Sequence, residues 1–165
     1  MALNKDKIDA LWVEITPKLY GYLINTLKDR NLADDILQTT WLKAIEALPR
    51  FENRNNNSFS AWLFTIARNE CKQHWRKPNR EVPFDPIVHD REDTKPEQEN
   101  KILVEQILAY LSESDRELIR LRYLADLPLN DIAKILNINP IAVRVRMHRA
   151  MASAKIILNN QNHEQ

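Results

Sequence analysis

Glycine is all but missing from this chain: Gly21 is the only one in 165 residues. Tight hairpins and the left-handed turns that join strands draw on glycine, so a chain without it has few ways to build a sheet. Apolar residues still make up 44% of the sequence, enough to form a packed interior. The expectation is an all-α protein with one compact domain or two small ones.

The same counts narrow the chemistry. Cys71 is the only cysteine, which excludes an internal disulfide and any multi-cysteine metal site. The four histidines are scattered without ligand spacing, and no glycine loop is present to cradle a phosphate. Asp34 and Asp35 are adjacent in sequence and point to different faces of a helix, so they make no acid–base pair. No catalytic constellation emerges; the expectation is a protein that is not an enzyme and that needs neither cofactor nor metal. Cys71 shares a helix with Arg68 and Lys72, whose charges could lower its thiol pKa, but the preferred reading is a small buried residue without a redox role. His74 and His148 read as surface side chains. The first residues, MALNKDKIDALW, carry early charges and no long apolar run, so neither a signal peptide nor a membrane span is expected. A soluble, intracellular protein follows as the expectation.

Net charge is only +1, but it is distributed unevenly. Residues 1–80 hold 13 Lys/Arg and 9 Asp/Glu, net +4; residues 81–100 hold 2 and 7, net −5; residues 101–165 hold 9 and 7, net +2. The acidic stretch EVPFDPIVHDREDTKPEQEN contains Pro83, Pro86 and Pro96 and lacks a helical apolar period. It reads as a linker between two basic lobes.

The first lobe patterns as three helices. The first spans about 6–28, with Leu11, Ile15, Leu19, Tyr22, Leu23 and Leu27 inward. The second buries Ala33, Ile36, Leu37, Thr40, Trp41, Ala44, Ile45 and Leu48, carries Asp34 and Asp35 in its first turn, and ends before Pro49. The third follows the loop FENRNNNS with Ser58 as N-cap, buries Phe59, Trp62, Leu63, Ile66 and Ala67, and stops before Pro78. In the second lobe a helix of about 101–111 precedes one of about 112–124, where Ser114 and Glu117 have capping-box spacing. The stretch PLNDIAKIL then reads as a short helix with Leu129, Ile132, Ala133 and Leu136 inward, and Asn137 to Asn139 as a turn. Asn139 would cap the last helix and Pro140 would open it. Short helix, tight turn and longer basic helix make a helix-turn-helix. The tail from Asn159 to Gln165 is expected to fray.

That last helix is where the charge is most lopsided. Asn137 to Lys155 holds Arg144, Arg146, Arg149 and Lys155 and no acid. On a 100° wheel Val143, Met147, Ala150 and Ala154 turn inward, while Ile141, Val145 and Arg149 lie opposite, with Ala142 and His148 beside them and Arg144 and Arg146 at the flanks. A narrow apolar strip edged with guanidinium groups suits a DNA major groove. The third helix carries a second basic strip: Arg68, Lys72 and Arg76 at four-residue steps, with Asn69 and Gln73 beside them and Trp75 nearby. Two basic helices on two lobes point to two contacts with one nucleic acid.

The segments LADDILQTTWLKAIEAL, FSAWLFTIARNECKQHWRK and LSESDRELIRLRYLADLPLNDIAKILNINPIAVRVRMHRAMASAK together resemble bacterial RNA polymerase sigma factors of the extracytoplasmic-function type. The resemblance implies a first domain at 1–80, a linker at 81–100 and a second domain at 101–165. It implies docking of Asp35, Gln38, Thr39 and Leu42 on the clamp coiled coil of the polymerase β′ subunit. It implies reading of the promoter −10 element by Asn55, Asn56, Asn57, Ser58, Arg68, Asn69, Lys72, Gln73 and Arg76, with a base flipped into the loop. The −35 element would fall to Pro140, Ile141, Ala142, Arg144, Val145, Arg146 and Arg149, and the second domain would also touch the β flap. A bacterial, cytoplasmic initiation factor held by an anti-sigma factor is the implied setting, with the acidic linker threading the polymerase. The sequence departs from the family pattern in its long Asn-rich, glycine-free loop, in Thr39 where an acid is frequent, in Pro140, and in Val145 where a serine is common. Two other classes stay open at this stage. One is a stand-alone helix-turn-helix regulator, which would need neither the basic strip of the third helix nor the Asp-Asp-x-x-Gln helix; the other is an adaptor for acidic proteins.

Overall fold

The structure, a computed structural model, describes residues 4–51, 58–76 and 105–163, and every regular element among them is helical. The expected Asn-rich loop (52–57) and linker (81–100) lie outside the described residues. Three long helices come first: α1 (Lys5–Leu27), α2 (Arg30–Ala47) and α3 (Phe59–Arg76), with a 3-10 turn (Leu48–Arg50) after α2. After a helical stretch at 105–109 come α4 (Glu113–Ile119), a π turn (Arg120–Leu124), α5 (Leu129–Leu136) and α6 (Pro140–His163).

Local chemistry sets the ends of these helices. The Asn4 side chain accepts from the Lys7 N–H at 3.0 Å and opens α1. Lys28 closes it in the left-handed region at φ 54°. Asp29 follows at once, and its carboxylate accepts from the Leu32 N–H at 3.1 Å, so α2 begins at Arg30. Asp34 and Asp35 therefore stand beyond the first turn, not in it as expected, because the cap sits five residues earlier than Asp34. Ser58 caps α3 as expected, accepting from the Ala61 N–H at 2.9 Å. In the second lobe the cap of α4 is Ser112, whose Oγ accepts from the Asp115 N–H at 3.2 Å. The expected pairing of Ser114 with Glu117 does not form: Ser114 already lies inside the helix, and the Glu117 carboxylate faces the first lobe. The tail also differs from expectation, staying helical to His163.

The first lobe packs α1, α2 and α3 around Ile15, Leu19, Tyr22, Leu23, Trp41, Leu63 and Phe64. Full burial of one such side chain stabilises by roughly 1.5–3 kcal/mol. Several inward assignments shift. Ile45 stands 52% exposed, and Phe59, Trp62 and Ile66 are only half-buried, while Ala61 and Phe64 are fully buried. The reason is an aromatic cluster at the edge of the lobe, where Phe51 lies 4.7 Å from Trp62 and 5.6 Å from Phe59. It draws Phe59 and Trp62 sideways and leaves the centre of α3 to Leu63, Phe64 and Ala67.

In the second lobe Ile132, Ala133 and Ile135 of α5 pack with Val143 and Met147 of α6. Asn137 takes the left-handed conformation (φ 53°) that ends α5, a position asparagine tolerates better than other side chains. Its N–H and that of Ile138 bond back to the carbonyls of Lys134 and Ala133. The turn and the reopening at Asn139 and Pro140 match the expected helix-turn-helix.

The two lobes pack against each other. The π turn lies on α1 and α5 lies on α3, and buried residues from both lobes belong to one contiguous apolar cluster.

Candidate nucleic-acid interface

The outward face of α6 is arranged as the helical wheel required. Val143, Met147 and Ala150 are buried, which turns the other side of the helix outward. Ile141 is 67% and Val145 43% exposed, and Arg144, Arg146, His148 and Arg149 stand in solvent around them. Asn139 Oδ1 accepts from the Ile141 N–H at 2.8 Å, and Pro140 starts the helix without a surplus N–H. The helix N-terminus, with its positive dipole end, thus opens at the exposed face. Ala142 is half-buried at the edge of the strip.

The polar face of α3 is also present. Asn69, Gln73, Trp75 and Arg76 are exposed and Lys72 is half-buried. Trp75 is 56% exposed beside Lys72 and Arg76. Arg68 is the exception. Its guanidinium bonds Glu117 of α4, with Nε to Oε1 at 2.5 Å and Nη2 to Oε2 at 3.4 Å. Tyr22 donates to the same carboxylate at 3.4 Å. Burial pushes the Tyr22 phenol well above its ordinary pKa, with the Glu117 charge adding to the effect. Ser58, the cap of α3, donates to the Asp131 carboxylate at 2.7 Å. Lys43 of α2 pairs with Glu70 and braces the outer side of α3.

Beside the start of α3 lies a cavity of about 380 Å³ lined by Arg50, Phe51, Ser58, Ala61, Trp62, Thr65 and, from the second lobe, Lys134. Its aromatic wall with hydroxyls alongside has the chemistry of a nucleobase site: a ring to stack on and hydrogen-bond partners at the edge. Phe51, Thr65 and Arg50 were not singled out in the sequence, and Trp62 was assigned to the core. A phenylalanine directly before the polar loop was the available signal.

A third surface runs along α2. Asp35, Gln38 and Leu42 are exposed and Thr39 is half-exposed, at positions that share one side of the helix. Leu42 is 62% exposed, and the unexpectedly exposed Ile45 extends its apolar patch.

Cys71 is buried, and that burial, with the nearby Glu117 and Glu70 carboxylates, pushes its thiol up to about 12. This is the preferred reading of Cys71 as a small buried residue; the alternative of a lowered pKa fails because loss of water outweighs the neighbouring Arg68. Among the described residues no His/Cys/Asp/Glu group could hold a metal ion, and no helix is long and apolar enough to cross a membrane.

Comparison with known proteins covers both lobes. The family model for sigma-70 region 2 matches residues 11–81, and that for sigma-70 region 4 matches residues 101–153. The extracytoplasmic-function sigma factor SigM of Bacillus subtilis is 27% identical, over 92% of this chain and 95% of its own. CarQ, an RNA polymerase sigma factor of Myxococcus xanthus, is 27% identical over 93% and 90%. Among solved structures, the sigma factor RpoE of Bartonella quintana, in complex with the anti-sigma factor NepR, aligns with TM-score 0.67 at 25% identity, over 94% of this chain and 98% of its own. CnrH, in complex with the cytosolic domain of CnrY, shares the fold with TM-score 0.70 at 22% identity, over 95% and 90%.

Proposed function

The chain belongs to the RNA polymerase sigma factors of the extracytoplasmic-function type, and on that premise we propose how its residues divide the work of directing core polymerase to promoters. The first lobe (1–80) docks on the β′ clamp through Asp35, Gln38, Thr39 and Leu42, with Ile45 widening the apolar contact. The same lobe takes the −10 element on α3, through Asn69, Lys72, Gln73 and Arg76 with Arg68 and Ser58. Asn55, Asn56 and Asn57, which lie outside the described residues, are assigned to the same −10 element. The second lobe (101–165) takes the −35 element with Pro140, Ile141, Ala142, Arg144, Val145, Arg146 and Arg149 and meets the β flap. The acidic linker at 81–100, outside the described residues, is assigned to thread the polymerase.

The observation that carries this reading is the pairing of two reading faces of different chemistry on one chain. On α6 an apolar strip edged by arginines fits duplex base edges and thymine methyls. On α3 amides and cations lie near an aromatic-walled cavity, which fits an unstacked strand. Extruding one base costs a few kcal/mol, and stacking in the cavity with phosphate contacts along α3 offsets that cost. Each lobe alone touches few phosphates, so affinity for free DNA is low, and polymerase raises it by tethering both lobes to one promoter. The protein acts without catalysis of its own, in the bacterial cytoplasm where the polymerase works. An anti-sigma partner fits the solved relative bound to NepR.

The test is run-off transcription with bacterial core polymerase on fragments of the parent genome, including the chain's own upstream region. Transcripts starting at discrete sites only when the protein is present support the reading. Absence of such transcripts, with tight sequence-specific binding by the protein alone, would favour a stand-alone regulator.

A further inference from the structure

The cavity beside the start of α3 joins three kinds of chemistry in one place. Two cations (Arg50, Lys134), two rings (Phe51, Trp62) and two hydroxyls (Ser58, Thr65) line it, with no acid among the described residues of its wall. Phe51 and Trp62 lie 4.7 Å apart, and Phe59 backs them at 5.6 Å and 5.5 Å, so the aromatic wall is braced from behind. Both wall rings are half-buried, whereas Arg50 and Lys134 stand exposed. The protons of the two hydroxyls are already committed. Ser58 donates to Asp131 at 2.7 Å, and Thr65 donates to the Ala61 carbonyl at 2.7 Å. Each therefore offers an incoming group only an oxygen that accepts. Asp131, one turn before Lys134 on α5, is buried, held by Ser58, and does not line the cavity.

We propose that this cavity binds a free purine nucleoside diphosphate, with the base stacked on Phe51 and Trp62 and the diphosphate held by Arg50 and Lys134. Its volume of about 380 Å³ is that of a small-molecule site. An aromatic wall accepts the face of any base, and a purine covers more of it than a pyrimidine does. The hydroxyl oxygens then discriminate by hydrogen bonding. Acceptors favour a base that brings an amino group, as adenine and guanine do, over uracil, which offers a single ring N–H. The cations complete the match. A guanidinium grips phosphate oxygens in a two-pronged bond and an ammonium acts as a point charge, so one of each suits two linked phosphates better than one. The strand phosphates are assigned above to cations of α3. Arg50 and Lys134 are the two cations of the cavity that the strand does not employ, and they suit a ligand whose phosphates arrive with its own base.

This inference rests on the reading of the cavity as a nucleobase site, and its test keeps the free ligand and the strand apart. The full-length protein is titrated by calorimetry with ADP, GDP, UDP and inorganic pyrophosphate. It is titrated separately with a single-stranded −10 oligonucleotide, whose sequence comes from the transcript starts of the run-off experiment. ADP and GDP are expected to bind on the order of tenfold more tightly than UDP or pyrophosphate. Lys134→Met and Arg50→Met should each weaken the purine nucleotides by about tenfold, and Lys134→Arg should restore most of the loss. Both side chains are exposed, so these variants leave the packing of the fold untouched. Thr65→Val keeps the outline of the side chain and removes the acceptor; it should bring ADP and GDP closer to UDP. Pyrophosphate that binds as tightly as ADP overturns the proposal, because the site would then serve an anion alone. Absence of nucleotide binding at millimolar concentration overturns it too, as does nucleotide affinity that Lys134→Met and Arg50→Met leave unchanged. A −10 strand that binds where no nucleotide does sinks the proposal and leaves the base assignment standing. Nucleotides that bind as expected and are not displaced by saturating −10 strand would instead remove the extruded base from this cavity.

Discussion

Val145 and Cys71 are two chemical extremes of this chain, one presented to solvent on α6 and the other sealed inside the first lobe. The face of α6 was legible because helix geometry alone fixes which side chains share a side, and Val143 and Met147 are buried where the wheel put them. The burial of Cys71 was legible too, but the size of its chemical effect was not. Its neighbours along the helix are cations, but its environment is set by residues distant in sequence, among them Glu117, and by loss of water. The consequence is chemical inertness: with the thiol held at about 12, almost no thiolate exists at neutral pH. A maleimide at pH 7.5 is expected to leave the native protein unlabelled and to label it fully in denaturant; rapid native labelling would contradict the burial. The sign of the linkage also follows. An acid whose folded pKa is raised costs no stability below its ordinary value of 9.0 and weakens the fold as pH rises from there toward about 12. Val145 supports a second expectation. It is exposed on the reading face and offers only methyl groups, so it is suited to a thymine methyl. Replacing thymine by uracil one position at a time in the −35 duplex should weaken binding at one position by about 0.8 kcal/mol, the value of one buried carbon, roughly fourfold in Kd. Equal affinity at every position would rule this contact out.

At the scale of elements, existence and order were legible and boundaries less so. Helical periodicity marks the middle of an element, while its ends depend on which of several polar residues takes the cap. In α2 two acids near the start invited assignment to the first turn, yet Asp29 holds the cap because Lys28 adopts the left-handed turn that frees it to reach the Leu32 N–H. In α4 the same competition went to Ser112 over Ser114, since Glu117 is drawn away from the capping role by Arg68. These assignments have different energetic consequences. Asp29→Ala should lower stability by about 1 kcal/mol, the usual cost of a lost N-cap, while Asp34→Ala should change it by less than about 0.5 kcal/mol. Urea denaturation of the two variants checks this, and a larger loss at Asp34 would restore the first-turn assignment. The cavity beside α3 shows a different limit. Its aromatic wall joins Phe51 to Trp62 across a loop, and a periodicity argument that starts at Phe59 does not reach back to Phe51.

For the whole molecule, charge patterning and prolines divided the chain into two basic lobes and an acidic connection, but said nothing of how the lobes meet. Tyr22 and Glu117 are 95 positions apart, and neither signals the other. The meeting has a thermodynamic consequence that the chain is well placed to report. All four tryptophans, Trp12, Trp41, Trp62 and Trp75, lie in the first lobe, so fluorescence follows that lobe alone, whereas far-UV circular dichroism follows helices in both. One contiguous apolar cluster and three carboxylate links couple the lobes, so thermal unfolding of the free protein should be a single cooperative transition with coincident fluorescence and dichroism curves. Neutralising Glu117 and Asp131 removes much of the coupling without touching either lobe's own packing. In that variant the dichroism curve should begin to fall before the fluorescence curve, as the second lobe melts away from an intact first lobe. Curves that separate already in the wild-type protein would mean that the lobes fold independently. Curves that stay coincident in the variant would place the coupling in the apolar contacts, with the carboxylates serving orientation alone.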